Sequence, residues 1–183
     1  MLTPLVIGVL SAAALVQQTD TTVQADGASR LEVDNLRGEV VVRVWDQDAV
    51  RIVADHSASR SVDIDRSRRT ISVDVDVERG MGLAGSVDFE FTVPRGFDLE
   101  VEGMAIDVDI EGTEGAVDVT TVHGTIHVRG GRGSITLESV NGEVVVEGAQ
   151  GDLSVTGMAG GVTIRDCSGD IFAESVGGSL TLE

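Results

Sequence analysis

The sequence predicts an all-β fold: a single-stranded β-solenoid with 18-residue coils forming two parallel sheets, preceded by an irregular antiparallel β section. Glycine falls at 115, 124, 133, 142, 151, 160, 169 and 178, an unbroken interval of nine. Taken in pairs, the nonapeptides (GAVDVTTVH GTIHVRGGR, GSITLESVN GEVVVEGAQ, GDLSVTGMA GGVTIRDCS, GDIFAESVG GSLTLE) give a true period of 18, and short periods of this kind mean stacked repeats. The composition agrees, with 42% apolar residues but only 3% aromatics, so that valine, isoleucine and leucine must fill the core, and with 23 glycines and two prolines for many tight turns.

The chain opens on an apolar run from Leu5 to Val16, too short to span a bilayer but suited to a signal-peptide core, although no Lys or Arg precedes it. Cleavage sites fall after Ala14 or Ala25. Residues 1–25 are therefore expected to be a signal peptide and 26–183 a single domain without a membrane span. The protein is expected to be exported, to the periplasm, the cell surface or the medium.

Residues 29–46 form a first coil: with Ser29 as position 1, Leu31, Val33, Leu36, Gly38, Val40 and Val42 occupy positions 3, 5, 8, 10, 12 and 14. Trp45 closes it as a large plug at the edge of the core. Residues 47–96 lose the register but keep period-2 alternation (Val50/Ile52/Ala54, Val62/Ile64, Ile71/Val73/Val75/Val77, Val87/Phe89/Phe91/Val93), which predicts antiparallel strands. The glycine-rich RGMGLAG (79–85) reads as a loop, and Arg60, Arg66, Arg68 and Arg69 as charges on a solvated hairpin turn.

Regular coils fill 97–183. Positions 3, 5, 8, 12 and 14 are expected to point inward: Leu99/Val101/Met104/Val108/Ile110, Val117/Val119/Val122/Ile126/Val128, Ile135/Leu137/Val140/Val144/Val146, Leu153/Val155/Met158/Val162/Ile164 and Ile171/Ala173/Val176/Leu180/Leu182. Glycines at positions 1 and 10 are expected to turn the chain with positive φ. Large residues at position 8 against Thr113, Gly131, Ala149 and Cys167 at position 17 predict one thick and one thin corner. Cys167, the only cysteine, reads as a small corner residue. At position 15, Glu111, Arg129, Glu147, Arg165 and Glu183 alternate in sign, as a stacked ladder favours.

A formal charge of −18 argues against nucleic acid and against anionic membrane surfaces. One outer face (positions 2, 4 and 6) carries Asp98, Glu100, Glu102, Asp118, Glu138, Asp152, Asp170 and Glu174. These residues are the candidate acidic interaction face. The other face mixes carboxylates with His127, Arg129 and Arg165. No nonapeptide carries the GGxGxD of calcium-binding repeats, and the nine-residue glycine interval does not fit hexapeptide acyltransferase solenoids. His123 and His127 have no third ligand nearby, His56 lies in the irregular region, and no GxSxG, phosphate loop or dinucleotide fingerprint occurs. No catalytic residue, metal ligand or cofactor is assigned.

The order of these features resembles the bacterial putative-adhesin family, a domain of unknown function built as a β-solenoid. The residues that carry the resemblance are GEVVVRVWDQDAVRIVA (38–54), VDFEFTVPRGFDLEVEG (87–103) and the turns VHGTIHV, VNGEVVV and VGGSLTL, within residues 29–183. One departure is the coil at 97–114, where Phe97 and Ile106 stand at the turn-glycine positions and imply wider turns. The resemblance implies adhesion or envelope association and no catalytic motif. The expected function is thus an exported non-catalytic binding or scaffold module of the cell envelope, with an unidentified envelope or surface partner. The alternative is a glycan-active enzyme using exposed carboxylates with Arg129 or Arg165. Leu180 and Leu182 lie in a coil that stops at Glu183, so homo-oligomerisation through that C-terminal edge is a further expectation.

Overall fold

The computed structural model describes residues 16–57, 60–77 and 85–183, which contain fifteen strands and no helix. They are β1 (Val16–Gln24), β2 (Arg30–Trp45), β3 (Ala49–Ser57), β4 (Arg60–Arg66), β5 (Thr70–Val77), β6 (Val87–Pro94), β7 (Asp98–Glu111), β8 (Val117–His123), β9 (Ile126–Arg129), β10 (Ile135–Asn141), β11 (Val144–Glu147), β12 (Leu153–Gly157), β13 (Val162–Arg165), β14 (Ile171–Ser175) and β15 (Leu180–Leu182). The apolar run from Leu5, except Val16, and the RGMGLAG stretch, except Gly85, lie outside the described residues.

From β7 onward the pairing is parallel and its partners are 18 residues apart. One ladder stacks Val119, Leu137, Val155 and Ala173; the other stacks Val128, Val146, Ile164 and Leu182. The expected two sheets are a single unclosed mixed sheet of 15 strands. The cause is local: β7 pairs β8 through its first half (Leu99↔Val117) and β9 through its second (Val108↔Ile126), so one strand carries both ladders. Ile106 is buried at position 10, where later rungs have glycine, and β7 runs on without a break there, as β2 does through Gly38.

Residues 47–96 are antiparallel only in part. β3 pairs antiparallel with β1 and β6, and β4 with β5, but β5 and β6 lie parallel to β2 (Leu31↔Ile71, Val42↔Phe91). The opposite edge of β2 pairs in register with β7 (Leu31↔Leu99, Val42↔Ile110). The section read as preceding the regular rungs therefore supplies an additional rung beyond β2, out of sequence order. Its apolar residues, including the stacked rings of Phe89 and Phe91 at 5.2 Å, close that end of the core.

Positions 3, 5, 12 and 14 are buried in the four rungs between 97 and 168, as period-2 alternation requires. Position 8 is not, because β8 and β10 extend to position 9. Alternation then carries on to position 7, burying Thr121 and Ser139 and turning position 8 outward. Met104 is 55% and Met158 52% exposed, so the expected thick corner is lined by small residues. The Thr121 hydroxyl is satisfied by donating to the carbonyl of His123 at 2.9 Å. In the last rung Ile171, Leu180 and Leu182 are exposed, since no further rung covers them among the described residues.

The nine-residue glycines are explained by space rather than by conformation at most positions. Gly142 and Gly160 do not have positive φ, yet a Cβ on either would overlap the carbonyl oxygen of the glycine 18 residues before it. The turns of successive rungs approach too closely for any side chain.

Candidate functional site

Packing sends the even positions of β7, β8, β10, β12 and β14 outward, and the carboxylates expected on an acidic face are there, though not as equivalents. Asp98 serves the fold itself, since its Oδ1 accepts the backbone N–H of Ala116 at 2.9 Å and so fastens the next rung. Glu100 pairs with Arg30 at 3.0 Å, so the first rung supplies this face with a cation. Asp118 lies between Glu100 and Glu138, and burial, then the charges of Glu100 and Glu138, push its pKa above the usual carboxylate range. Glu102, Glu138 and Glu174 alternate at position 6 with Thr120 and Thr156, which keeps them two rungs apart. Asp152 and Asp170 are exposed at the position-2 edge.

The acidic face continues beyond the residues that the sequence indicates, since Glu32 and Asp34 lie in register with Glu100 and Glu102. Glu32, Asp34, Ser72, Asp74, Glu100 and Glu102 line a shallow cavity of about 210 Å³ where β5, β2 and β7 lie side by side. Burial and the surrounding Asp34, Asp63, Asp76 and Asp65 raise the pKa of Asp74. Glu32 and Asp34 were available to the 18-residue register at positions 4 and 6 of residues 29–46. Asp74 was not, because nothing in the sequence reveals that β5 lies beside β2.

The mixed face is an ion-pair network. Asp109 accepts from Arg43 at 2.7 Å and from Arg129 at 2.9 Å; burial works against its ionisation, but these bonds outweigh it and hold its pKa below the usual value. Arg165 bridges Glu183 at 2.9 Å and Glu147 at 3.5 Å. The two arginines of the glycan-active alternative are thus both engaged. His127 faces Asp109 and Glu147, whereas His123 lines a different surface with Met104, so the two imidazoles sit on separate ladders. Among the described residues no group of three or more His, Cys, Asp or Glu is arranged to hold a metal ion. Cys167 packs at the core edge and directs its thiol to the carbonyl of Arg165 at 3.1 Å. Trp45, half-buried, donates its indole N–H to the carbonyl of Ala49 at 2.8 Å. The basic cluster disperses: Arg66 pairs with Asp26 near the β4–β5 turn, while Arg60 is buried at the other end of β4.

Two apolar surfaces remain. One is the last rung, where Phe172 projects from the outer face, 58% exposed, beside Ile171, Leu180 and Leu182. The other is the outward position 8, a ridge of side chains in register from Leu36 through Met104, Val122, Val140 and Met158 to Val176.

This all-β architecture is shared with a known structure. No family model matches the sequence, and no curated protein matches it. The structure is similar to that of a putative cell adhesion protein from Clostridium sporogenes, with a TM-score of 0.68 at 8% identity over 92% of this chain and 99% of that one. Putative adhesins from Bacteroides fragilis (TM-score 0.42, 8% identity, 93% of this chain and 98% of that one) and Parabacteroides distasonis (0.36, 10%, 91% and 97%) are also found. The Clostridium sporogenes protein, at 8% identity, shares the fold with this chain.

Proposed function

We propose that the chain is an exported, non-catalytic β-solenoid of 18-residue coils acting as an adhesin-like binding or scaffold module of the cell envelope. The observation that carries this is the fold shared over nearly the whole chain with a protein described as a putative cell adhesion protein. The outer ladders support it, because their charged groups are occupied with one another or lie on open sheet. Cleavage after Ala14 leaves β1 in the sheet, whereas cleavage after Ala25 would strip β3 of one of its two antiparallel partners and cut beside the fully buried Ala25. We therefore expect a mature N-terminus at Leu15. Fractionation with N-terminal sequencing tests export, and a pull-down from envelope fractions with the mature chain tests binding. An unprocessed Met1 in the cytosol would sink the proposal.

Within this reading the last rung is an edge for strand addition by a second copy. β14 and β15 each pair on one side among the described residues, and exposed core-position side chains lie beside them. Light scattering across a concentration series should show a dimer that Leu182→Glu dissociates; a monomer throughout removes this part.

A further inference from the structure

In a chain with 31 acidic and 13 basic residues, one corner is free of formal charge. Positions 7–10 of the five rungs after 97 (103–106, 121–124, 139–142, 157–160 and 175–178) contain no Asp, Glu, Lys or Arg, and His123 is their only titratable group. The position-8 ridge runs along this corner. Six side chains at about 4.8 Å per step make a strip about 24 Å long. A strip that narrow falls far short of the roughly 800 Å² per partner of a stable protein interface.

At the β2 end of the ridge the sign of the local charge reverses. A cleft of about 200 Å³ is lined by Leu36, Arg37, Arg60, Met104, Ala105 and His123, three apolar and three basic residues with no carboxylate among the described residues. Arg37 and His123 are exposed and form no ion pair among the described residues. Arg60 is only 4% exposed and donates from Nη2 to the carbonyl of Gly85 at 3.1 Å. The cleft is smaller than the roughly 300 Å³ at which sites for drug-sized ligands begin, so it takes one end of a longer molecule.

From this juxtaposition we infer that the cleft binds the carboxylate head of a linear alkyl monocarboxylate, whose chain lies along the ridge over Met104 and Val122. The guanidinium fork of Arg37 matches a carboxylate in bidentate geometry, and His123 offers a second donor. A single negative charge is favoured over a dianion because the rest of the molecule repels anions. The floor of Leu36, Met104 and Ala105 takes the first methylenes, with the flexible thioether adapting to them.

The probe is decanoate, titrated calorimetrically into the mature chain below its micellar concentration, with decanol, decyltrimethylammonium and an apolar peptide with a free C-terminus in parallel. Decanoate should bind, and at least tenfold more tightly than decanol. Arg37→Glu and Met104→Glu, both at exposed positions, should each weaken it at least tenfold with unchanged circular dichroism. Val176→Glu, at the far end of the ridge, should not alter it. Absence of decanoate binding, equal binding of decanol or the cationic analogue, preference for the peptide, or insensitivity to Arg37→Glu would each overturn the assignment.

Discussion

Replacing Gly142 by alanine separates the two explanations for the glycine period. The backbone of Gly142 is outside the left-handed region, so alanine is not penalised there by conformation. Its Cβ, however, would overlap the carbonyl oxygen of Gly124 and press on the Ser139 hydroxyl. Relief requires the rungs to part, at the expense of flanking bonds such as Ile126 N–H to Glu143 O at 2.9 Å and Gly130 N–H to Glu147 O at 2.7 Å. Overpacking costs about 1–3 kcal/mol, and two ladder bonds add about 1 kcal/mol each. The sum, about 3–5 kcal/mol, corresponds to a fall of about 10 °C in Tm for a chain of this size. Gly148→Ala is the control: Gly148 has φ +70° and nothing within 4 Å of a built Cβ, so only conformation acts. That costs about 1 kcal/mol. Thermal and urea unfolding of both variants measure the difference. Equal losses would refute the close-approach account.

The corrected corner predicts that Val140→Asp, on the exposed ridge, leaves urea stability within about 1 kcal/mol. Val146→Asp, which places an unpaired charge in the core two strand residues beyond the buried Val144, should abolish folding by circular dichroism. Asp118→Asn should stabilise the protein at pH 7 by about 0.5 kcal/mol, because it relieves like charges in neighbouring rungs. The raised folded pKa means that Asp118 destabilises the fold at neutral pH and less so as it takes up its proton, so this gain should shrink as pH falls through the carboxylate range. Asp109 has the opposite sign. Its depressed pKa contributes stability that is present above the ordinary carboxylate pKa and lost as pH falls through the folded value. Asp109→Asn should cost about 1 kcal/mol at pH 7, given partly exposed partners, and nothing in strong acid, as read from urea midpoints across pH.

Repetition made much of this molecule legible. Positions 3, 5, 12 and 14 lie in strands whose inward residues recur every 18, and each rung confirms the last, so Leu137 or Ile164 could be assigned by counting. The position-15 ladder was readable for the same reason, since Glu111, Arg129 and Glu147 do pair in register. Position 8 failed because its apolar character imitates a core position; only the length of β8 and β10 determines that alternation ends at position 7. The stacking of β2 on β7 is non-local, and no period links residues separated by the 47–96 excursion. For that reason the acidic cavity involving Asp74 and the basic cleft between Arg37 and Arg60 were beyond reach of the sequence.

The charge distribution also argues about the ridge itself. On two of its outward ladders this chain keeps like charges apart, with Thr120 and Thr156 between the glutamates at position 6 after residue 97 and with alternating sign at position 15. Either device would have served at position 8, which is comparably exposed. Instead leucine, methionine and valine fill it, side chains that lower solubility and gain little from burial at half exposure. If the ridge stabilised the fold, Met104→Thr and Val122→Thr together would cost well over about 2 kcal/mol. We expect the pair to cost less than about 1 kcal/mol while reducing decanoate binding tenfold or more. A large loss of stability in this pair would make the ridge a part of the core after all, and would remove the reason for seeking a ligand along it.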